Sequence, residues 1–104
     1  MSLYAWTQDV PIDADAYGEI TARMGDAKMP GGLVHIAIEL PDGKMRYIDV
    51  WESEEACDAA FAAVIHPAVH PVLESRGIVV NGEPPRIPLN VIDVRYADGT
   101  SVQG

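Results

Sequence analysis

The stretch Tyr47-Ile48-Asp49-Val50-Trp51-Glu52-Ser53-Glu54-Glu55-Ala56 narrows the choice of folds more than any other part of the sequence. Lys44 to Trp51 reads as a strand, and its two-residue period puts Tyr47, Asp49 and Trp51 on one face. Ser53 then caps a helix. Its hydroxyl can accept an orphan backbone N–H, and the carboxylates of Glu54 and Glu55 suit the positive helix end. Ala56, Cys57, Ala60, Phe61 and Val64 follow at helical spacing as a buried stripe. A carboxylate and an indole are therefore carried on one strand face that breaks at once into an amphipathic helix. That junction is where chemistry could sit.

The rest of the chain supplies the partners. Leu3 to Gln8 reads as a first strand, ended by Asp9-Val10-Pro11. Asp13 caps a helix to about Gly25, with Tyr17, Ile20, Thr21 and Met24 at helical spacing. Leu33 to Leu40 is rich in β-branched residues and forms a strand after the Met29-Pro30-Gly31-Gly32 loop. Beyond the second helix, Pro67 disfavours helical geometry at His66, and Pro71 strains the piece from Pro67 to Arg76, so a kinked or broken segment is expected there. Ile78 to Pro88 reads as extended, Leu89 to Tyr96 as the last strand, and Asp98 to Gly104 as a fraying tail. The order β-α-β-β-α-β predicts a single α+β domain over residues 1–104, with a ferredoxin-like antiparallel sheet. Both helices then lie on one sheet face, and the bare face needs cover. The core of a 104-residue chain is thin, so a second copy closing sheet to sheet is expected: a homodimer in the form of a dimeric α/β barrel.

Asp42-Gly43 suits a two-residue hairpin turn, which sets a register. Pro41 pairs with Lys44, Glu39 with Arg46, Ala37 with Ile48 and His35 with Val50. Val34, Ile36, Ile38 and Leu40 then join Met45, Tyr47, Asp49 and Trp51 under the helices. Leu33, His35, Ala37 and Glu39 join Arg46, Ile48 and Val50 on the face turned to a partner sheet. A three-residue turn would slip the strands and undo this assignment.

Composition removes several classes. With a net charge of −9 and seven scattered basic residues, the chain lacks the clustered cations that nucleic acid requires. Cys57 is the single cysteine, so no internal disulfide can form and a reducing compartment fits. No signal pattern opens the sequence and no apolar run approaches spanning length, which implies a cytoplasmic protein without a membrane partner.

Gly32-Leu33-Val34-His35, then Tyr47-Ile48-Asp49-Val50-Trp51-Glu52-Ser53, then Phe61 and His66-Pro67-Ala68-Val69, resemble the small dimeric α/β-barrel proteins related to antibiotic biosynthesis monooxygenases. The likeness is to an uncharacterised bacterial branch and covers roughly 33–72. Some members of that group oxygenate aromatic polyketides or quinols without a cofactor, some degrade haem, and many have no known activity. The resemblance implies a pocket between sheet and helices bordered by Trp51. It does not imply haem, because the positions of the haem-binding residues are held here by Phe61 and by Thr7-Gln8.

Each candidate carries two readings. Trp51 either stacks on an aromatic ligand or pins the strand end against the helix. Asp49, on the same face, is either a general base whose pKa burial raises or a carboxylate held by backbone N–H groups or an arginine. His35 either deprotonates a phenol or bonds across the dimer interface, and the expected register puts it on the face opposite Asp49. His66 and His70 have a metal-ligating spacing but no third ligand nearby, so no metal site is expected. Tyr4, Trp6, Tyr17, Tyr47 and Tyr96 line a pocket or simply fill the core.

Two functions follow. In one, the protein is a cofactor-independent monooxygenase-like enzyme for a small aromatic or quinol substrate. Asp49 or His35 takes a proton, Trp51 and Phe61 hold the ring, and Tyr47 or Arg46 steadies an oxyanion. In the other, it is a non-catalytic dimeric module that binds a small ligand or serves as a scaffold.

Overall fold

A computed structural model describes residues 2–104. Strand β1 spans Tyr4–Asp13, helix α1 Ala14–Met24, β2 Gly32–Glu39 and β3 Lys44–Trp51. One long helical run follows: α2 at Glu54–Ala60, a π-helical turn at Phe61–Ile65, and α3 at His66–Ser75. Short strands β4 (Ile87–Leu89), β5 (Asp93–Arg95) and β6 (Ser101–Gln103) complete the chain. The main sheet is antiparallel in the order β2-β3-β1-β4, the ferredoxin-like arrangement expected from the sequence. Both expected caps form. Asp13 accepts from the Ala16 N–H at 2.8 Å and Ser53 from the Ala56 N–H at 3.1 Å.

The β2–β3 register differs from the expected one by a residue. Glu39 lies opposite Met45, Ala37 opposite Tyr47, Ile36 opposite Ile48 and His35 opposite Asp49. The loop holds three residues, not two. The Leu40 N–H bonds the Lys44 carbonyl at 2.8 Å, and the Gly43 N–H closes a turn onto the Leu40 carbonyl at 2.9 Å. Pro41 decides this: its fixed φ suits the second position of an ordinary turn, and Gly43 at φ 85° takes the left-handed position that follows. A slip of one residue inverts a whole strand. His35 and Ala37 therefore lie under the helices, and Val34, Ile36 and Ile38 turn to the bare face. The expected Glu39–Arg46 pair gives way to Arg46 bridging Asp9, at 2.6 and 3.0 Å.

Three other expectations change. β1 continues through Pro11, because a register shift between Val10 and Asp13 leaves the proline outside the ladder. The last sheet strand is Ile87–Leu89. The expected Leu89–Tyr96 strand instead divides, and Asp93–Arg95 pairs with Ser101–Gln103, a segment expected to fray. The second helix does not break at Pro67. Proline has no N–H and crowds the carbonyl four residues back, and the wider π turn just before it absorbs both problems. The unbroken run Glu54–Ser75 has 22 residues and a mean hydropathy of 1.3, long and apolar enough to cross a membrane, contrary to the expectation that no apolar run approaches that length. One face of it packs into the core. Cys57, Ala60, Phe61, Ala68 and Val72 are buried against the sheet and α1.

Gly31 holds the junction between β3 and α2 in place. Its φ is 87°, and a Cβ there would stand 2.5 Å from that of Ala56. The close approach lets the Gly31 carbonyl accept the Glu52 N–H at 2.8 Å as the chain leaves β3.

Candidate functional site

The register that turned β2 over also brings together residues that the sequence kept apart. Asp49 is buried, 2% exposed, and both of its oxygens are used. The His35 Nδ1–H meets Oδ1 at 2.6 Å, and the Trp51 indole N–H donates to Oδ2 at 3.1 Å. With Nδ1 committed to a carboxylate, Nε2 of a neutral imidazole is the acceptor. The Tyr17 hydroxyl, 2.8 Å away, donates to it. A continuous chain thus runs from a helix, Tyr17, through β2 and β3 to the buried indole. Bonds to an ionised group contribute about 2 kcal/mol each, so a carboxylate with two such donors is a strong brace. Burial, followed by the Asp49 charge, raises the Tyr17 pKa, which keeps it a proton donor at neutral pH.

Trp51 is 3% exposed and closes an aromatic cluster. Its ring centroid lies 6.4 Å from Phe61, and Trp6 meets Phe61 edge-on at 5.8 Å. Arg86 covers the cluster, 4.6 Å above Phe61 and 5.0 Å above Trp6. Burial alone would weaken its charge. Hydrogen bonds to Tyr4 and Glu83 outweigh that and hold its pKa above the ordinary value. Cys57 lies fully buried in the same cluster, and burial pushes its thiol pKa up, so it is a packing residue and not a nucleophile.

The open space lies next door. A cavity of about 800 Å³ separates β1 from the long helix. Its walls are mainly apolar. Val10 and Ile12 come from β1, Ile20 from α1, and Ile65, Val69 and Leu73 from the helix. Residues 77–84 strap over it, and the buried Gln8 ties the strap down by donating its side-chain N–H to the Pro84 carbonyl at 2.7 Å. Tyr47 and Phe61 line it, as do His66 and His70. Tyr47 stands between the two regions, with its ring 5.2 Å from His35 and 5.6 Å from Tyr17. Burial, then Tyr17 and Asp49, push its pKa well above the usual tyrosine value, so it too stays protonated.

The structure therefore divides the residues singled out in the sequence. Tyr47 and Phe61 reach the cavity; Asp49, His35 and Trp51 form the brace beside it; Arg46 lies on the far face of the sheet, paired with Asp9. The expectation that His35 and Asp49 point to opposite faces is overturned by the one-residue slip. Gln8 and Arg86 escaped sequence reading, and Tyr17, expected only as one of five aromatic residues lining a pocket or filling the core, was not linked to His35. Tyr17 sat on the apolar stripe of its helix, and nothing local tied Gln8 or Arg86 to a site. No group of three His, Cys, Asp or Glu side chains is placed to hold a metal among the described residues.

A solved structure shares this architecture. It comes from Chloroflexus aurantiacus J-10-fl, is provisionally assigned as an antibiotic biosynthesis monooxygenase, and aligns over 88% of this chain and 94% of its own, with a TM-score of 0.57. The fold is antibiotic biosynthesis monooxygenase-like. The two sequences are 19% identical, so the monooxygenase-like fold is the extent of what they share. No family sequence model matches the chain, nor does any curated protein sequence.

Proposed function

We propose that this protein is a cofactor-independent monooxygenase-like enzyme for a small, flat aromatic or quinol substrate bound between sheet and long helix. One observation carries the reading: an apolar cavity of about 800 Å³ with imidazole and phenol groups on its wall. Sites for small organic ligands fall in the range of roughly 300–1,000 Å³ and combine an apolar lining with a few polar groups. The monooxygenase-like fold agrees with it.

The chemistry asks little of the protein. A phenol with a free para carbon gives up its O–H proton to a base, and the electron-rich anion reduces oxygen. A C–O bond forms at the para carbon, and the C–H there is lost. One oxygen atom remains as a carbonyl and the other leaves as water, so the substrate supplies all four electrons that the oxygen takes up. The protein needs a base, a donor for developing charge and a dry wall. Tyr47 is the donor and Phe61 the wall. Asp49, His35 and Trp51 hold Tyr47 and the strand behind it.

A second copy of the chain is the partner we propose for the bare sheet face. Ile36, Ile38, Ile87 and Leu89 are exposed there, and the register puts them on one side of the sheet. A monomer by light scattering at micromolar concentration would remove that dimer. A cytoplasmic location fits the single buried thiol.

The saturation of Asp49 and the sealing of Trp51 favour a second reading, a ligand-binding module without turnover. Oxygen uptake with 1-naphthol separates the two. The enzyme reading expects saturable uptake with one naphthoquinone formed per oxygen consumed. Tight binding without uptake leaves the module.

A further inference from the structure

We propose that His66 and His70 form the proton-accepting pair of the cavity, taking the hydroxyl proton of a phenol whose ring lies against Phe61. The inference rests on the occupant proposed above and adds the base that the brace beside the cavity does not provide. The chain has three histidines. His35 uses both ring nitrogens, on Asp49 and on Tyr17, and does not reach the cavity. The other two line it.

The π turn is what aims them. In a regular α-helix, residues five apart point about 140° away from each other. Here the His66 N–H bonds the Phe61 carbonyl, five residues back. The two side chains are thereby drawn to one side, and their rings meet edge-on with centroids 5.6 Å apart. Beyond the turn the helix is regular again. His70, four residues on, stacks on His66 at 5.3 Å with 11° between planes. A single stripe of Phe61, His66 and His70 therefore faces the cavity. Pro67, in the first turn of the helix that follows, is accommodated by the same π turn. Single π turns recur at functional sites for this reason: they re-aim side chains that an α-helix would scatter.

The charges around the pair suit proton uptake. The Glu83 carboxylate, on the strap, lies 3.8 Å from the His66 Nε2 and would face the imidazolium once formed. Arg86 holds Glu83 in place through a 2.9 Å ion pair while covering Phe61. Glu74 borders the same cavity from the next helical turn. The remaining titratable group on the lining is the Tyr47 phenol, which stays protonated and can donate to the phenolate oxygen. In the step itself the ligand O–H bond breaks and an imidazole N–H bond forms. No electron moves.

4-Nitrophenol tests this directly, because its ionised form absorbs at a longer wavelength than the neutral form. The probe is added to the full-length protein at a pH where the free compound is mostly protonated. The expected result is a bound phenolate band that the double variant His66→Asn, His70→Asn lacks, while its affinity falls by no more than about tenfold. The single variant His70→Gln, which preserves bulk, should reduce the band, and circular dichroism checks that each variant is folded. A phenolate band that persists in the double variant overturns the assignment, as does a probe that binds the wild type only in its neutral form. If neither protein binds the probe, or if Ile65→Trp leaves binding unchanged, the cavity is not the site, and the parent reading fails with the inference.

Discussion

Around Asp49 each charged or polar side chain has been given to another: both carboxylate oxygens, both nitrogens of His35, the Tyr17 hydroxyl and the Trp51 N–H. A few ångströms away, beyond Tyr47, the wall of the cavity carries two imidazoles stacked on each other and half open to solvent. The first region has the residue types of a catalytic dyad, but Asp49, His35 and Trp51 do not line the cavity. The second has the room. Groups that satisfy one another in a packed setting are a brace, because displacing any of them leaves a buried partner unpaired. Groups left uncommitted beside open space are the ones available to a ligand.

The contrast can be broken most forcefully at Asp49. Removing its carboxylate with Asp49→Ala leaves the His35 and Trp51 donors unmatched and should lower the unfolding free energy by about 3 kcal/mol. Urea denaturation measures it. If the folded variant also loses cavity binding of 1-naphthol by more than about tenfold, the brace and the site are a single unit. Ile65→Trp attacks the other side. Filling the cavity should weaken naphthol binding by about 2 kcal/mol, read by titration calorimetry, while stability shifts by less than about 1 kcal/mol.

Smaller effects sharpen the picture. Tyr17→Phe removes one partly exposed hydrogen bond from the brace and should cost about 1 kcal/mol, with naphthol affinity unchanged. The smallest effect is alkaline. Tyr17 and Tyr47 have folded pKa values above their ordinary 10.0, so their contribution to stability is fully present below pH 10 and is lost as pH rises through the higher folded values. Thermal midpoints should hold level up to that pH and then fall. The fall should be shallower in Tyr47→Phe, and a Tyr47→Phe curve identical to wild type would mean that this phenol ionises freely.

Much of the architecture was legible because it is written in short-range chemistry. The caps at Asp13 and Ser53 form as their side chains require, and the alternation in β3 puts Met45, Tyr47, Asp49 and Trp51 on the covered face. The β-α-β-β-α-β order follows from those local signals. Around the candidate site, Asp49, His35, Trp51, Tyr47 and Phe61 could all be named in advance, but not who touches whom. Pro41 carried the missing clue to the register. Read as part of a three-residue loop, it places His35 beside Asp49; read as a strand end, it separates them.

The sequence by itself determined the helix caps, the ferredoxin-like order and the sheet face of β3, but not the C-terminal strands or the continuity of the long helix, since caps, periodicity and turn residues act within a few positions of one another. Tertiary structure decided the rest. Tyr17 meets His35 across 18 positions, Gln8 reaches Pro84 across 76, and a π turn re-aims His66 and His70. Such contacts depend on the relative placement of whole elements, and a one-residue slip or one widened turn redirects every side chain beyond it.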